Sequence, residues 1–280
     1  MPASPESGGS DLDGGAVSGG RVGRGDRSGA RAGGMAKVGV GLTIVSAVLL
    51  AGVAGVGFYA AVLLAGLLVL LPVLGLAQAD LAQRPVPVRR MSAYASSAVT
   101  ILVIGTLSFA AGMLDGGPER LGLGSVPIRT FVVSILAVLV AAVVVISGAE
   151  LTRRWLGVGE SALLATLLPR TPAERTAFAG LSLVAGWGEE LAYRGYAIPA
   201  LVVIGASPWA AAAVTSVAFG MVHAYQGTIG VARTAMLGMI LAVPVVLLDS
   251  LWPSIVAHVM IDLVGGLWLG PRMLAEPAAT

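Results

Sequence analysis

Large apolar residues gather into eight runs, near residues 38–56, 58–77, 93–114, 127–149, 177–203, 208–224, 229–248 and 253–270. Short breaks carrying glycine, proline or charge separate them. An α-helix rises about 1.5 Å per residue, so roughly 20 apolar residues cross a bilayer core. Most runs reach that length; the sixth and eighth are short. Only Gly55-Val56-Gly57 divides the first pair, which leaves a count of seven open beside eight. Several starts carry helix signals. Thr171-Pro172-Ala173-Glu174 joins an N-cap, a proline at the first helical position and a Thr-x-x-Glu capping box. Ser207-Pro208 and Trp252-Pro253 also put proline where its missing N–H is not needed. The pattern predicts an all-α fold: a polytopic membrane bundle of about eight transmembrane helices, without internal repeats.

Composition sharpens this. Hydrophobic residues make up 56% of the 280 and charged ones only 11%, against roughly 25% charged in soluble domains. A water-soluble domain is excluded. No cysteine is present, which removes disulfides, thiolate nucleophiles and cysteine-ligated metals. The formal charge is +2 and the arginines are scattered between apolar blocks, so no nucleic-acid footprint is present. Residues 1–34 hold eleven glycines and almost no large apolar side chain, too little to offset the entropy of ordering, and are expected to be a disordered tail. Met35, just before the first run, is an alternative start to Met1. The organisation expected is thus tail 1–34, N-terminal helices 35–160, a helical core 161–270 and a C-terminal tail 271–280.

Basic residues give an orientation. With eight spans, Arg21, Arg24, Arg27, Arg31, Lys37, Arg84, Arg89, Arg90, Arg153, Arg154, Arg170, Arg175 and Arg272 fall on one side, against Arg120 and Arg129 on the other. The positive-inside rule then places both termini in the cytoplasm. The glycine- and alanine-rich, lysine-poor composition is that of a GC-rich genome and points to a bacterial cell membrane.

Ionisable groups at bilayer depth mark function by default. In the last 110 residues they cluster at Glu189-Glu190 with Arg194, at His223 after Phe219, and at His258 with Asp262. Both histidines of the chain are in this set. Glu190 and Arg194 are spaced i,i+4 and can pair on one face, which leaves Glu189 pointing elsewhere. Asp262, one turn from His258, can hold that ring's orientation and tautomer. A free carboxylate can act as general base to a water, and an imidazole can orient that water or donate to an oxyanion. The same set could hold zinc, although the tight H-E-x-x-H spacing is absent. No other cofactor is indicated.

At these positions the sequence resembles the CPBP family of intramembrane proteases, which includes the CAAX prenyl endopeptidases and bacterial relatives. Its motifs, E-E-x-x-x-R, F-x-x-x-H and H-x-x-x-N/D, read here as Glu189-Glu190…Arg194, Phe219…His223 and His258…Asp262. The resemblance covers about residues 165–265. It implies that Glu189 activates the attacking water with His223 helping to hold it. His258 and Asp262 would line the oxyanion site, with Glu190, Arg194 and Phe219 in support. Both metal-dependent and metal-free mechanisms are argued for the family. The third motif ends in Asp where prenyl proteases typically carry Asn, and an anion beside an oxyanion is unfavourable unless it is protonated or bound to His258.

The expected function is endoproteolysis of a membrane-associated or lipidated peptide, approached from the cytoplasm, with membrane lipid as surroundings. The alternatives are a non-proteolytic scaffold or self-immunity protein of the same fold, and a proton-coupled transporter. Tyr193, Trp187 and Tyr225 are read as packing or interfacial anchors, Gln226 and Arg233 as interfacial or snorkelling, and Asp249 as a helix end. Asp80, Asp115, Glu119, Glu150 and Glu160 are read as loop or helix-end charges. One conflict stands. Counted from Pro208, His223 lies about 22 Å along its helix, while His258 is only about 8 Å past Pro253. A shared site requires either that the seventh helix is short and broken at Pro244, so that the eighth starts deep, or that the spans lie elsewhere than these runs place them.

Overall fold

The computed structural model describes residues 22–79, 87–159 and 161–270. Residues 1–21 and 271–280 of the two expected tails lie outside the described residues, as do Asp80, Arg84 and Glu160. Nine helices follow one another among the described residues: α1 Val22–Gly52, α2 Phe58–Ala77, α3 Arg90–Arg120, α4 Ile128–Trp155, the short α5 Ala162–Leu167, α6 over 172–203, α7 Pro208–Val222, α8 Gly227–Leu248 and α9 Trp252–Leu269. Helix α1 begins at Val22, inside the stretch expected to be a disordered tail, rather than at 38. Apart from α5, each helix answers one apolar run. The break after Gly52 separates α1 from α2, so the first pair is two helices and not one.

Six of these helices are long and apolar enough to cross a membrane: α1 from Gly33, α2, α3, α4, α9, and α8 with the turn that precedes it. Helix α7 is apolar but shorter, and α6 carries Glu189, Glu190 and Arg194 in its middle. Helices α1, α3 and α4 present rows of exposed Val, Leu and Ile side chains, including Val45, Leu49, Val99, Val103, Val140 and Val144. So much exposed apolar surface is stable against lipid and not against water.

Helix starts follow the sequence signals. The Thr171 hydroxyl accepts from the Glu174 N–H, and the Glu174 carboxylate accepts from the Thr171 N–H, which closes the capping box. Ser207 caps α7 through the Ala210 N–H. Arg90, at the start of α3, donates to the Thr166 carbonyl at 2.7 Å and faces Glu174 at 3.5 Å, tying α3 to the entry of α6.

Prolines reshape three helices. The helix widens to a π-type turn at Gly66–Leu70, two residues before Pro72, and at Leu191–Ala197, two residues before Pro199. A third widened turn, Val264–Leu269, ends at the same offset from Pro271 in the sequence. Proline has no N–H to give and its ring crowds the carbonyl one turn back, so a longer turn ahead of it relieves the clash without breaking the helix. All seven residues of Leu191–Ala197 are buried. Ala192, Tyr193, Tyr196 and Ala197 join the main apolar core with Leu64 and Leu67 of α2, Ala111 of α3 and Phe219 of α7. Two hydroxyls fasten this stretch to α2: Tyr196 donates to the Ala60 carbonyl at 3.1 Å and Tyr193 to that of Leu67 at 3.5 Å.

The conflict over depth resolves without a broken helix. Helix α8 runs unbroken through Pro244, which corrects the expected break. Instead, the turn after it is buried. Ser250 and Leu251 are fully enclosed, the Leu251 N–H donates to the Gly122 carbonyl, and the Trp252 indole donates to that of Leu123. Helix α9 therefore starts inside the protein, and Ser254 bonds the Leu241 carbonyl on α8 at 2.7 Å. Helix α7 has 15 residues, about 22 Å, which is less than the roughly 30 Å of a bilayer core. Its two ends cannot reach both faces.

Two glycines bring neighbours against α6 just before the acidic pair. A Cβ on Gly188 would come within 2.9 Å of the Ile101 carbonyl oxygen on α3, and one on Gly186 would meet the Val259 side chain of α9 at 2.4 Å. Gly180, on the exposed side of the same helix, has nothing within 4 Å. Gly188→Ala is expected to lower stability by about 1–3 kcal/mol through overpacking, whereas Gly180→Ala leaves it unchanged or raises it by up to about 1 kcal/mol. Thermal unfolding of the detergent-solubilised variants checks this; equal melting temperatures for the two would contradict the close crossing.

Candidate active site

Glu189 and Glu190 end the regular part of α6, and Arg194 lies inside its widened turn. Arg194 donates to Glu190 Oε1 at 2.8 Å, the i,i+4 pairing, with both side chains wholly enclosed. The guanidinium also sits over the Phe219 ring, 4.5 Å from its centre, so its face meets a π cloud while its edge meets a carboxylate. The same Glu190 oxygen accepts from His258 Nδ1 at 2.8 Å. One carboxylate thus fixes a residue of its own helix and a ring from α9.

This corrects the expected origin of the His258 orientation. Glu190 makes the short bond to Nδ1, while Asp262 lies on the other side of the ring, 3.8 Å from Nε2. Glu189 reaches the same Nε2 at 3.7 Å. With Nδ1 committed to Glu190, Nε2 is the ring atom available for chemistry, between two carboxylates. Glu189 is 18% exposed and Asp262 34%, so the open side of the cluster is theirs.

His223 comes from the end of α7, where the chain leaves the helix into the turn Ala224–Gln226. Its Nδ1 is 2.8 Å from the Phe219 carbonyl. A carbonyl can only accept, so Nδ1 carries the hydrogen and neutral His223 keeps its lone pair on Nε2. Phe219 stands between the two histidines, its ring centre 4.6 Å from that of His223 and 6.1 Å from that of His258. Tyr193 packs edge-on against the same phenyl ring. The residues singled out from sequence on three helices, Glu189, Glu190, Arg194, Phe219, His223, His258 and Asp262, are all in this one cluster.

Some contacts were not signalled by spacing. Tyr225 lies beside His223, ring centres 5.9 Å apart, and its hydroxyl oxygen accepts from Gln226. Ser161, which caps α5, donates to the Tyr225 carbonyl at 2.7 Å and pins this turn from outside. Sequence periodicity gives no direction for residues past a helix end, so nothing in the spacing marks Tyr225, expected as a packing residue or anchor, or Gln226, expected as interfacial or snorkelling, as neighbours of the cluster. Among the described residues, no group of three or more His, Asp or Glu is spaced to hold a metal ion.

A buried ion that loses its partner is costly, of the order of 3–5 kcal/mol. Glu190→Leu, which strands Arg194 and releases His258, is expected to destabilise the protein by about that amount. Replacing Arg194 by Met in the same chain recovers part of the loss. A double-mutant cycle on thermal stability reads the coupling, and strict additivity of the two changes would show that the pair is not a unit.

Comparison with known proteins bears on this part of the chain. No curated protein and no solved structure matches. Residues 172–264 match the family model described as type II CAAX prenyl endopeptidase Rce1-like, about a third of the chain. That stretch runs from the capped start of α6 to the first residue of the widened turn in α9, and contains every side chain of the cluster. This third of the chain is similar to the CAAX-type intramembrane proteases of the CPBP family, and the cluster around Phe219 lies wholly within it.

Proposed function

We propose that this integral membrane protein is an endopeptidase that hydrolyses membrane-associated or lipidated peptides with a water activated by Glu189. The observation that carries this is the placement of His258 Nε2 between Glu189 and Asp262 while Glu190 holds Nδ1. A water lodged against Glu189 gives up a proton to the carboxylate as its oxygen attacks the peptide carbonyl. His223 Nε2, with its lone pair free, accepts the other hydrogen and aims the oxygen. The new C–O bond pushes the carbonyl electrons onto oxygen. His258, doubly protonated, donates to that oxyanion through Nε2. The proton on Glu189 then passes to the leaving nitrogen as the C–N bond breaks, releasing an amine and a carboxylate.

Asp262 in this scheme neutralises the His258 imidazolium and does not itself meet the oxyanion. No step here is routed through zinc, and the chelator arm of the test reads whether a metal takes part. The arginine distribution supports both termini in the cytoplasm, and the glycine- and alanine-rich, lysine-poor composition supports a bacterial cell membrane. A proline-widened turn beside the acidic pair fits the frequent use of such turns at functional sites.

The test uses purified protein in liposomes and a library of quenched fluorescent peptides, some S-prenylated. Glu189→Gln and His223→Ala are each expected to lower cleavage by roughly 10²–10⁴-fold, and chelator leaves the rate unchanged. Full cleavage in both variants ends the proposal. Loss on chelation, restored by zinc, would move the mechanism to a metal. Proton-coupled flux without cleavage would identify a transporter instead.

A further inference from the structure

The turn between α7 and α8 holds a chain of hydrogen bonds with only one possible direction. Arg233, on α8, donates to Gln226 Oε1 at 2.9 Å, and the Thr234 hydroxyl lies 3.3 Å from the same oxygen. An arginine has no acceptor, so the oxygen end of the Gln226 amide must face it. The amino end is thereby turned to the Tyr225 hydroxyl, 3.3 Å away. That donation occupies a lone pair of the phenol oxygen and leaves its single hydrogen to be given elsewhere.

The phenol borders the cluster through His223. Its ring is beside that of His223, its backbone is held by Ser161, and Glu189 and Asp262 are both within electrostatic reach of it. Peptide hydrolysis needs donors for the oxyanion, yet the residue one helical turn after His258 is Asp262, a carboxylate. Ionised Asp262 cannot donate, so His258 alone among the motif residues supplies a hydrogen.

We propose that Tyr225 is a catalytic residue that donates its phenolic hydrogen to the oxyanion, with Gln226, held by Arg233, as the positioning residue that fixes the direction of that donation. This rests on the endopeptidase reading above. Tyr225 stands in for the donor that Asp262 lacks, and it joins the site from outside the three motifs.

Steady-state cleavage of the same peptide library by wild type, Tyr225→Phe, Gln226→Leu, the double variant and Glu189→Gln tests this. Tyr225→Phe is expected to lower kcat by about 10²-fold with KM unchanged. Gln226→Leu lowers kcat less, also with KM unchanged, and adds nothing in the Tyr225→Phe background. Unchanged kcat in Tyr225→Phe beside an inactive Glu189→Gln overturns this inference and leaves the endopeptidase intact; so does a rise in KM alone. Should Tyr225→Phe fail to fold, an unchanged kcat in Gln226→Leu overturns it. Wild-type inactivity across the library, or full activity of Glu189→Gln, overturns the underlying reading and this inference with it.

Discussion

The site depends on one oxygen atom. Glu190 Oε1 accepts from Arg194 on its own helix and from His258 on α9. Removing a carboxylate and a guanidinium from water is expensive, and their attraction repays it only when the geometry is good and further bonds are added. Here the further bond is to a catalytic candidate. The ion pair is therefore more than a clamp. It converts the tertiary position of α6 relative to α9 into a ring orientation, and the ring orientation decides which nitrogen faces Glu189. The cation over Phe219 extends the arrangement to α7, because the same phenyl ring backs both histidines.

What lets three helices meet so closely is a combination of small residues and proline. Gly186 and Gly188 face opposite neighbours, α9 and α3, immediately before the acidic pair. Pro199 then widens the turn that carries Arg194, and the widened turn is buried throughout. In lipid there is no water to satisfy a loosened backbone, so irregular helix is tolerated only inside protein. Tyr193 and Tyr196 supply hydroxyls to α2 carbonyls at that level, and the Tyr193 bond falls within the other widened turn, ahead of Pro72.

Much of the site was legible because polar residues in an apolar background are few. The i,i+4 pairing of Glu190 and Arg194 and the capping box of α6 follow from local rules, and the gathering of both histidines into one cluster follows from the cost of leaving polar groups in lipid. The carboxylate that orients His258 did not. Asp262 sits one turn from the ring and looked sufficient, whereas the shorter bond comes from Glu190, 68 residues away in sequence, and nothing local distinguishes the two. The depth of His258 was equally hidden. It depends on carbonyls of Gly122 and Leu123 receiving the first residues of α9, which is a property of a loop more than a hundred residues upstream. The charge-bearing α6 illustrates the converse. Length and hydropathy alone undervalue it as a span, yet its charged centre is the reason the bundle has a site.

The Asp at the end of the third motif ties these points together. A carboxylate at 262 is compatible with hydrolysis only because His258 already has its Nδ1 engaged by Glu190, so that its Nε2 side can be shared between Asp262, Glu189 and a reacting group. Two acidic groups around one Nε2 favour the imidazolium, and an imidazolium is a better oxyanion donor than neutral imidazole. In the proposed hydrolysis Asp262 thus supplies a charge that strengthens the neighbouring donor and not a donor of its own. It also leaves one side of the oxyanion without a partner from α9. The turn after α7, held by Ser161 from α5 and by Arg233 and Thr234 from α8, is proposed to close that side. On the proposed reading, the site draws on this fourth stretch of chain beyond the three motifs, and on helices that touch no substrate.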